Sequence, residues 1–305
     1  MISRKSPSGD NFKRFSLVVM GKCFILSCTI KKAAVLIILI LSVGNPAYSQ
    51  NFKDKPQNIN ISDPAKELSV GETLEYSVEW LGIPVGKIVL KVEGITTINN
   101  YECYHITAEV VPNRFFQRFY DLEYKVHSYI DKRSFLPIRF EKIRRLNKEA
   151  NYVTIDFDHE KNEAKYKSSG STLFIKFSPV RKKLETINPI TTNIPKGTQD
   201  LFSSFYYFRI LKIKEDQSYP VNIYYGQRNW LVKMKVEKPF FREMRKKGTF
   251  AVVKLSPLSE LNDYILGKRN FSVYLSVDSR RIPLEFKLNT AMGPIRGIIQ
   301  NLTQK

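Results

Sequence analysis

The chain has 305 residues, 49 of them Lys or Arg against 29 Asp or Glu, for a formal charge of +20. Hydrophobic residues make up 43% and aromatics 12%, enough apolar surface to exclude a wholly disordered polypeptide. Three Cys exclude a disulfide scaffold, and three His leave little material for a multi-metal enzyme.

The first 49 residues read as an export signal. Lys31 and Lys32 precede the unbroken apolar run Ala33 to Leu41, and Ala47-Tyr48-Ser49 offers the small-x-small pattern cut by a signal peptidase, here after Ser49. The run is shorter than the roughly 20 apolar residues a bilayer-spanning helix needs, so a cleaved signal is expected. The alternative is an inner-membrane anchor through uncleaved residues 33–43, and Met20 offers an alternative start. Cleavage leaves 42 basic and 28 acidic residues and removes Cys23 and Cys28. Cys103 is then the sole thiol, which suits a buried, inert side chain better than a redox site.

Residues 50–69 are polar and read as a flexible linker. From Val70 apolar and polar residues alternate, the signature of half-buried strands. Leu74, Tyr76, Val78 and Trp80 form one such series, Gly82 to Gly86 makes a turn, and Ile88, Leu90 and Val92 return. Tyr104, Ile106, Ala108 and Val110 form the next, followed by Tyr120 to Ile130. Segments 138–146 and 151–157 read as a hairpin, and a second is expected with its turn at Ser168 to Ser171 and a return strand over 173–177. Thr198-Gln199-Asp200 then resembles a helix N-cap, and Leu201, Phe205, Phe208 and Leu211 recur at helical spacing. The spacing predicts one helix over about 199–211. Strands resume at 219–226, 229–237, 249–255, 271–277, 283–290 and 294–302. The expected fold is mainly β: a strongly curved antiparallel sheet or open barrel with one packed α-helix, in a single domain over 70–302.

Several of these landmarks resemble one bacterial family. They are Val70-Gly71-Glu72-Thr73-Leu74-Glu75-Tyr76-Ser77-Val78-Glu79-Trp80 with Gly82 to Gly86, Tyr129-Ile130-Asp131 with Leu136-Pro137, the helix from Asp200 to Arg209, and the hairpin Val273 to Pro283. Together they resemble the exported DUF3108 proteins, over about Val70 to Leu302. The resemblance implies export and a β-rich architecture. It implies no established activity, so no catalytic residue is carried over.

The motifs of catalysis are missing from the sequence. It holds no phosphate-cradling Gly-rich loop, His-Glu-x-x-His, Cys-x-x-Cys or Gly-x-Ser-x-Gly, and no cofactor is expected. Antiparallel pairing of 101–110 with 121–130 places His105 opposite His127 on the polar face, near Cys103, Glu109 and Glu123, residue types that bind zinc, copper or nickel. The alternative is a wet face that happens to hold two histidines. Asp278-Ser279-Arg280-Arg281 reads as a tight turn with a solvated Arg pair, and Asp200 and Arg209 as a helix cap and a charge suited to the helix dipole.

Basic runs at 139–148, 181–183 and 242–247 suit an anionic envelope surface, since export removes the chain from nucleic acid. Residues 50–305 hold 17 Phe, 15 Tyr and 2 Trp. A curved sheet would line a groove with Trp80, Tyr104, Tyr124 and Phe208, fit for a lipid or other apolar ligand. The expected function is therefore a non-enzymatic envelope protein binding an apolar or lipid-like ligand. The alternatives are an envelope hydrolase acting on glycan or lipid, and a structural adaptor to another envelope protein.

Overall fold

In the computed structural model, which describes residues 67–118, 121–147, 149–170, 187–244, 247–258, 271–290 and 293–303, the alternating segments become two series of antiparallel strands. The first comprises β1 (Thr73–Trp80), β2 (Ile83–Ile98), β3 (Tyr101–Pro112), β4 (Leu122–Asp131), β5 (Pro137–Leu146), β6 (Glu149–Asp158), β7 (Glu163–Gly170) and β8 (Ile187–Asn193). The second comprises β9 (Ser218–Tyr225), β10 (Arg228–Val236), β11 (Phe240–Met244), β12 (Gly248–Pro257), β13 (Phe271–Ser276), β14 (Pro283–Thr290) and β15 (Gly293–Thr303). Two helices accompany them among the described residues, α1 (Arg114–Gln117) and α2 (Ser203–Ile210).

The first series is an up-and-down meander in which each strand pairs with the next. Short turns permit this, because antiparallel neighbours need only a hairpin between them. In the second series β9 pairs with β10 and β12 to β15 pair in succession, but β10 pairs with β12 while β11 pairs with β12 off that path; β15 then lies against β1, joining both series into one sheet. The register puts Tyr76 between Ile88 on β2 and Ile299 on β15. Gly297 faces Phe286 across the β14–β15 ladder. A Cβ at Gly297 would lie 1.9 Å from the Phe286 ring, so the ring lies directly over bare backbone.

Helix α2 occupies the concave face. Its Tyr207 and Phe208 pack with Leu211, Val221, Met234, Val236, Val253 and Leu275. Its Tyr206 and Ile210 pack with Val92, Tyr104, Ile106, Ile130 and Phe135 of the first series. One helix thus buries apolar side chains from both series, and the sheet must curl around it to do so. The terminal strands β8 and β9 meet through side chains, with the Tyr224 hydroxyl donating to Thr192 Oγ1 at 3.2 Å. Among the described residues they share no ladder, so the sheet is not closed there.

Three sequence expectations change. The helix runs Ser203–Ile210 rather than 199–211, because Asp200 turns the chain just before it: its carboxylate accepts from the amides of Phe202 (2.7 Å) and Ser203 (2.8 Å). Ser168 to Gly170 form no turn; they continue β7 along Val153, Tyr152 and Asn151, and the hairpin bends earlier, between β6 and β7. Leu68, placed in the linker by composition, is buried beside Val92 and Tyr206. The signal, its cleavage after Ser49, the apolar run 33–43, linker residues 50–66 and the expected strand 173–177 lie outside the described residues. No helix among the described residues is long and apolar enough to cross a membrane.

Candidate functional site

The interior of the first meander is built in layers by strand register. Ser128, Phe140, Ile155 and Tyr166 align in one layer, and Val126, Lys142, Val153 and Ser168 in the next. Tyr124, Arg144, Asn151 and Gly170 form the layer nearest the β3–β4 turn. The lowest of these layers touches the helix. Phe140 stacks on Phe202 at 6.4 Å, and the Ser128 hydroxyl donates to Asp200 Oδ2 at 2.6 Å. Burial pushes the Asp200 carboxyl up, against hydrogen bonds from Ser128, Ser203 and Phe202 that hold it down.

Above that layer the interior turns basic. Lys142 and Arg144 occupy inward positions, on the same side of β5 as buried Ile138 and Phe140. Lys142 is half-buried between Val126 and Val153, and no hydrogen bond or ion pair holds its ammonium among the described residues. Burial, then the neighbouring Arg144 guanidinium, push its pKa down to about 8. Tyr124 beside Arg144 is buried; burial and the nearby Tyr225 push its hydroxyl well up, against the pull of Arg144. Tyr225 in turn lies within electrostatic reach of Tyr166. Two cations and the phenols of Tyr124 and Tyr225 therefore share one apolar-walled end of the concave face. That constellation is equipped to hold an anion.

The four aromatics expected to line a groove do not converge. Tyr104 and Phe208 lie in separate clusters, both filled by α2. Tyr124 borders the basic layer, and Trp80 closes β1 beside the β1–β2 turn. Of the four, only Tyr124 belongs to the constellation around Lys142. The signal for Lys142 and Arg144 was present in the sequence as parity: in Ile138-x-Phe140-x-Lys142-x-Arg144 two cations continue an inward series.

On the outer face His105 and His127 do meet, though not as a directly opposed pair. His105 lies across from Tyr129, and His127 across from Thr107. The offset is the diagonal one that long side chains span. His105 Nε2 and His127 Nδ1 are 2.9 Å apart, and the His105 ring stacks on Tyr129 at 4.7 Å. Burial lowers the pKa of His105, aided by His127, and burial followed by Lys125 lowers that of His127. Two of the three expected companions, Cys103 and Glu123, are engaged elsewhere. The Cys103 thiol donates to the Tyr101 carbonyl, with its pKa pushed up to about 11 by burial and Asp131, and Glu123 is held by Arg145 at 2.7 Å. Glu93 is the carboxylate beside the pair, taken by Thr107 Oγ1 at 3.0 Å and by Lys91. Among the described residues no group of three or more His, Cys, Asp or Glu is placed to hold a metal.

An open cleft of about 640 Å³ lies near the β6–β7 turn, with Asp131, Asp156, Asp158 and His159 in its lining. Its acids serve the local backbone and neighbouring cations: Asp131 accepts from Ser134 N at 2.8 Å, Asp156 from Arg139 at 2.6 Å, and Asp158 from Lys161 N at 2.9 Å. Two further charges are structural. Arg209, in the last turn of α2 as its charge suits, is buried in a two-pronged bond to Glu72, at 2.6 and 2.8 Å. Arg281, expected in solvent, donates to the Leu211 carbonyl at the end of α2. The Asp278 turn is as expected, its Oδ1 accepting from the amides of Arg280 and Arg281, both at 3.1 Å.

Residues 75–300 match the family model described as a protein of unknown function, DUF3108. No curated protein matches the sequence. Among solved structures, the crystal structure of a β-barrel-like protein of the domain of unknown function DUF1849 from Brucella abortus covers 79% of this chain and 100% of its own. The identity is 11% and the TM-score 0.47.

Proposed function

This chain belongs to the DUF3108 family of proteins of unknown function, and we propose that it is an exported, non-enzymatic envelope protein whose concave face receives the anionic head of a lipid-like ligand. The observation that carries this reading is the inward Lys142 ammonium, which lacks a counter-ion among the described residues and lies next to a second cation, Arg144. Charges are rarely left in an apolar setting without a partner, because desolvation is costly. A bound carboxylate or phosphate supplies that partner and reverses the like-charge repulsion. The surrounding Val126, Val153 and Ala108 are buried and apolar, which favours an amphiphile over a wholly polar anion. The charged leader sequence ahead of an apolar run supports export, where such ligands occur.

The test is titration with a fluorescent fatty acid. A charge-assisted hydrogen bond contributes about 1.5–3 kcal/mol, so Lys142→Met should weaken binding about 10- to 100-fold. Equal affinity in wild type and variant overturns the reading. Mass spectrometry of gently purified protein should show an anionic lipid bound to the wild type and depleted in the variant.

A further inference from the structure

The end of the fold nearest the basic layer carries a second set of features. Leu81 and Ile83, at the tip of the β1–β2 hairpin, are 55% and 61% exposed, and Phe115, on α1 at the neighbouring tip, is 49% exposed. The tips are tied into one rim: the Asn113 amide donates to the Val85 carbonyl at 3.0 Å, and its side chain to the Pro84 carbonyl at 2.7 Å. A third tip joins them where the Leu81 amide donates to the Pro294 carbonyl at 3.1 Å.

Two observations set this rim apart from scattered surface hydrophobics. Leu81 has φ of 53°, a left-handed backbone that turns normally give to Asn, Asp or Gly. A leucine held there gains nothing for the turn, and part of its side chain rests over Gly293, where a Cβ would come within 2.2 Å. The exposed Arg114 and Arg118 flank Phe115, and their side chains make no hydrogen bond or ion pair among the described residues. Aliphatic and aromatic tips with cations beside them match the depth profile of a bilayer surface, apolar at the acyl boundary and anionic at the headgroups.

We propose that this rim, formed by Leu81, Ile83, Phe115, Arg114 and Arg118, docks on an anionic lipid bilayer. Protruding tips suit a deformable lipid surface, whereas a protein partner is met across a broad, shape-matched patch. The proposal is independent of what the concave face binds.

Flotation with phosphatidylglycerol or phosphatidylcholine vesicles tests it, on protein as it accumulates in an exporting bacterium. The wild type should float with phosphatidylglycerol at low salt, be released as salt rises, and bind phosphatidylcholine weakly. Each cation near an anionic surface contributes about a factor of five, so Arg114→Gln with Arg118→Gln should weaken partitioning about 30-fold. Ile83→Ser with Phe115→Ser should abolish it. Phe241→Ser, which removes an 80% exposed ring away from the rim, should bind as wild type does. Brominated phosphatidylglycerol should quench Trp80, one residue from Leu81, in a Trp230→Phe background, which locates the contact whatever else binds lipid. Wild-type partitioning by both rim variants, or unquenched Trp80, overturns the proposal. So does a rim that mediates self-association while vesicles remain unbound.

Discussion

Replacing Lys142 by Met removes a charge and keeps an unbranched apolar stem of similar length. The folded protein holds this amine at a pKa of about 8 against the ordinary 10.5. At about 1.4 kcal/mol per tenfold change in proton affinity, that difference corresponds to roughly 3 kcal/mol, and water reaching the half-buried amine trims it to about 2–3 kcal/mol. The sign follows from where the proton is lost. Below about pH 8 the lysine is charged in both states, and the folded state carries the whole cost of confining it beside Arg144. Between about 8 and 10.5 the unfolded chain still binds the proton while the folded protein releases it, so the cost fades with rising pH. Lys142→Met should therefore stabilise the protein by about 2–3 kcal/mol near neutral pH, and the gain should vanish above about pH 11. Urea unfolding of both proteins across this range measures it. A variant less stable than wild type at pH 7, or a gain that persists at pH 11, refutes the reasoning. A stabilising substitution that weakens fatty-acid binding would identify Lys142 as a residue kept for function at the expense of the fold.

Two further outcomes follow from the charges that are satisfied. Glu72→Leu strands the buried Arg209 guanidinium, at a cost of about 3–5 kcal/mol; melting should drop by roughly 10 °C, and the double variant with Arg209→Met should recover most of it. A single variant melting with the wild type would show that Arg209 finds another partner. The lowered pKa values of His105 and His127 mean that the unfolded chain takes up protons first, so stability should fall as pH drops from about 7 to 5. Urea midpoints should show a shallower fall in His127→Gln, and an unchanged slope would exclude the pair as its source.

Much of the strand architecture was legible because its cause is local. Leu74-x-Tyr76-x-Val78 alternates with a period of two, and a sheet with one buried face has that period wherever it runs. The same logic puts Tyr104 and Ile106 inward and His105 outward. It failed at Ser168 to Gly170, where turn-forming residues lie in a paired strand, because ladder bonds to β6 outweigh a local preference for bending. It failed differently at the candidate site. Lys142 and Arg144 look like two members of a solvated basic run; their parity with Ile138 and Phe140 carries the inward direction, and the neighbours supplied by β4 and β6 show what they face.

The sequence by itself determined the class of fold, the place of most of the strands, the existence and approximate place of one buried helix, and the chemistry of the Asp278 turn. All of these rest on interactions between residues close along the chain. The tertiary structure alone decided that β15 closes onto β1, that the helix fills the groove the aromatics were expected to line, and that Arg209 meets Glu72 while Lys142 meets no such partner among the described residues. Those outcomes depend on which distant segments share a layer, and a periodic pattern carries the direction of a side chain but not the identity of what it will face.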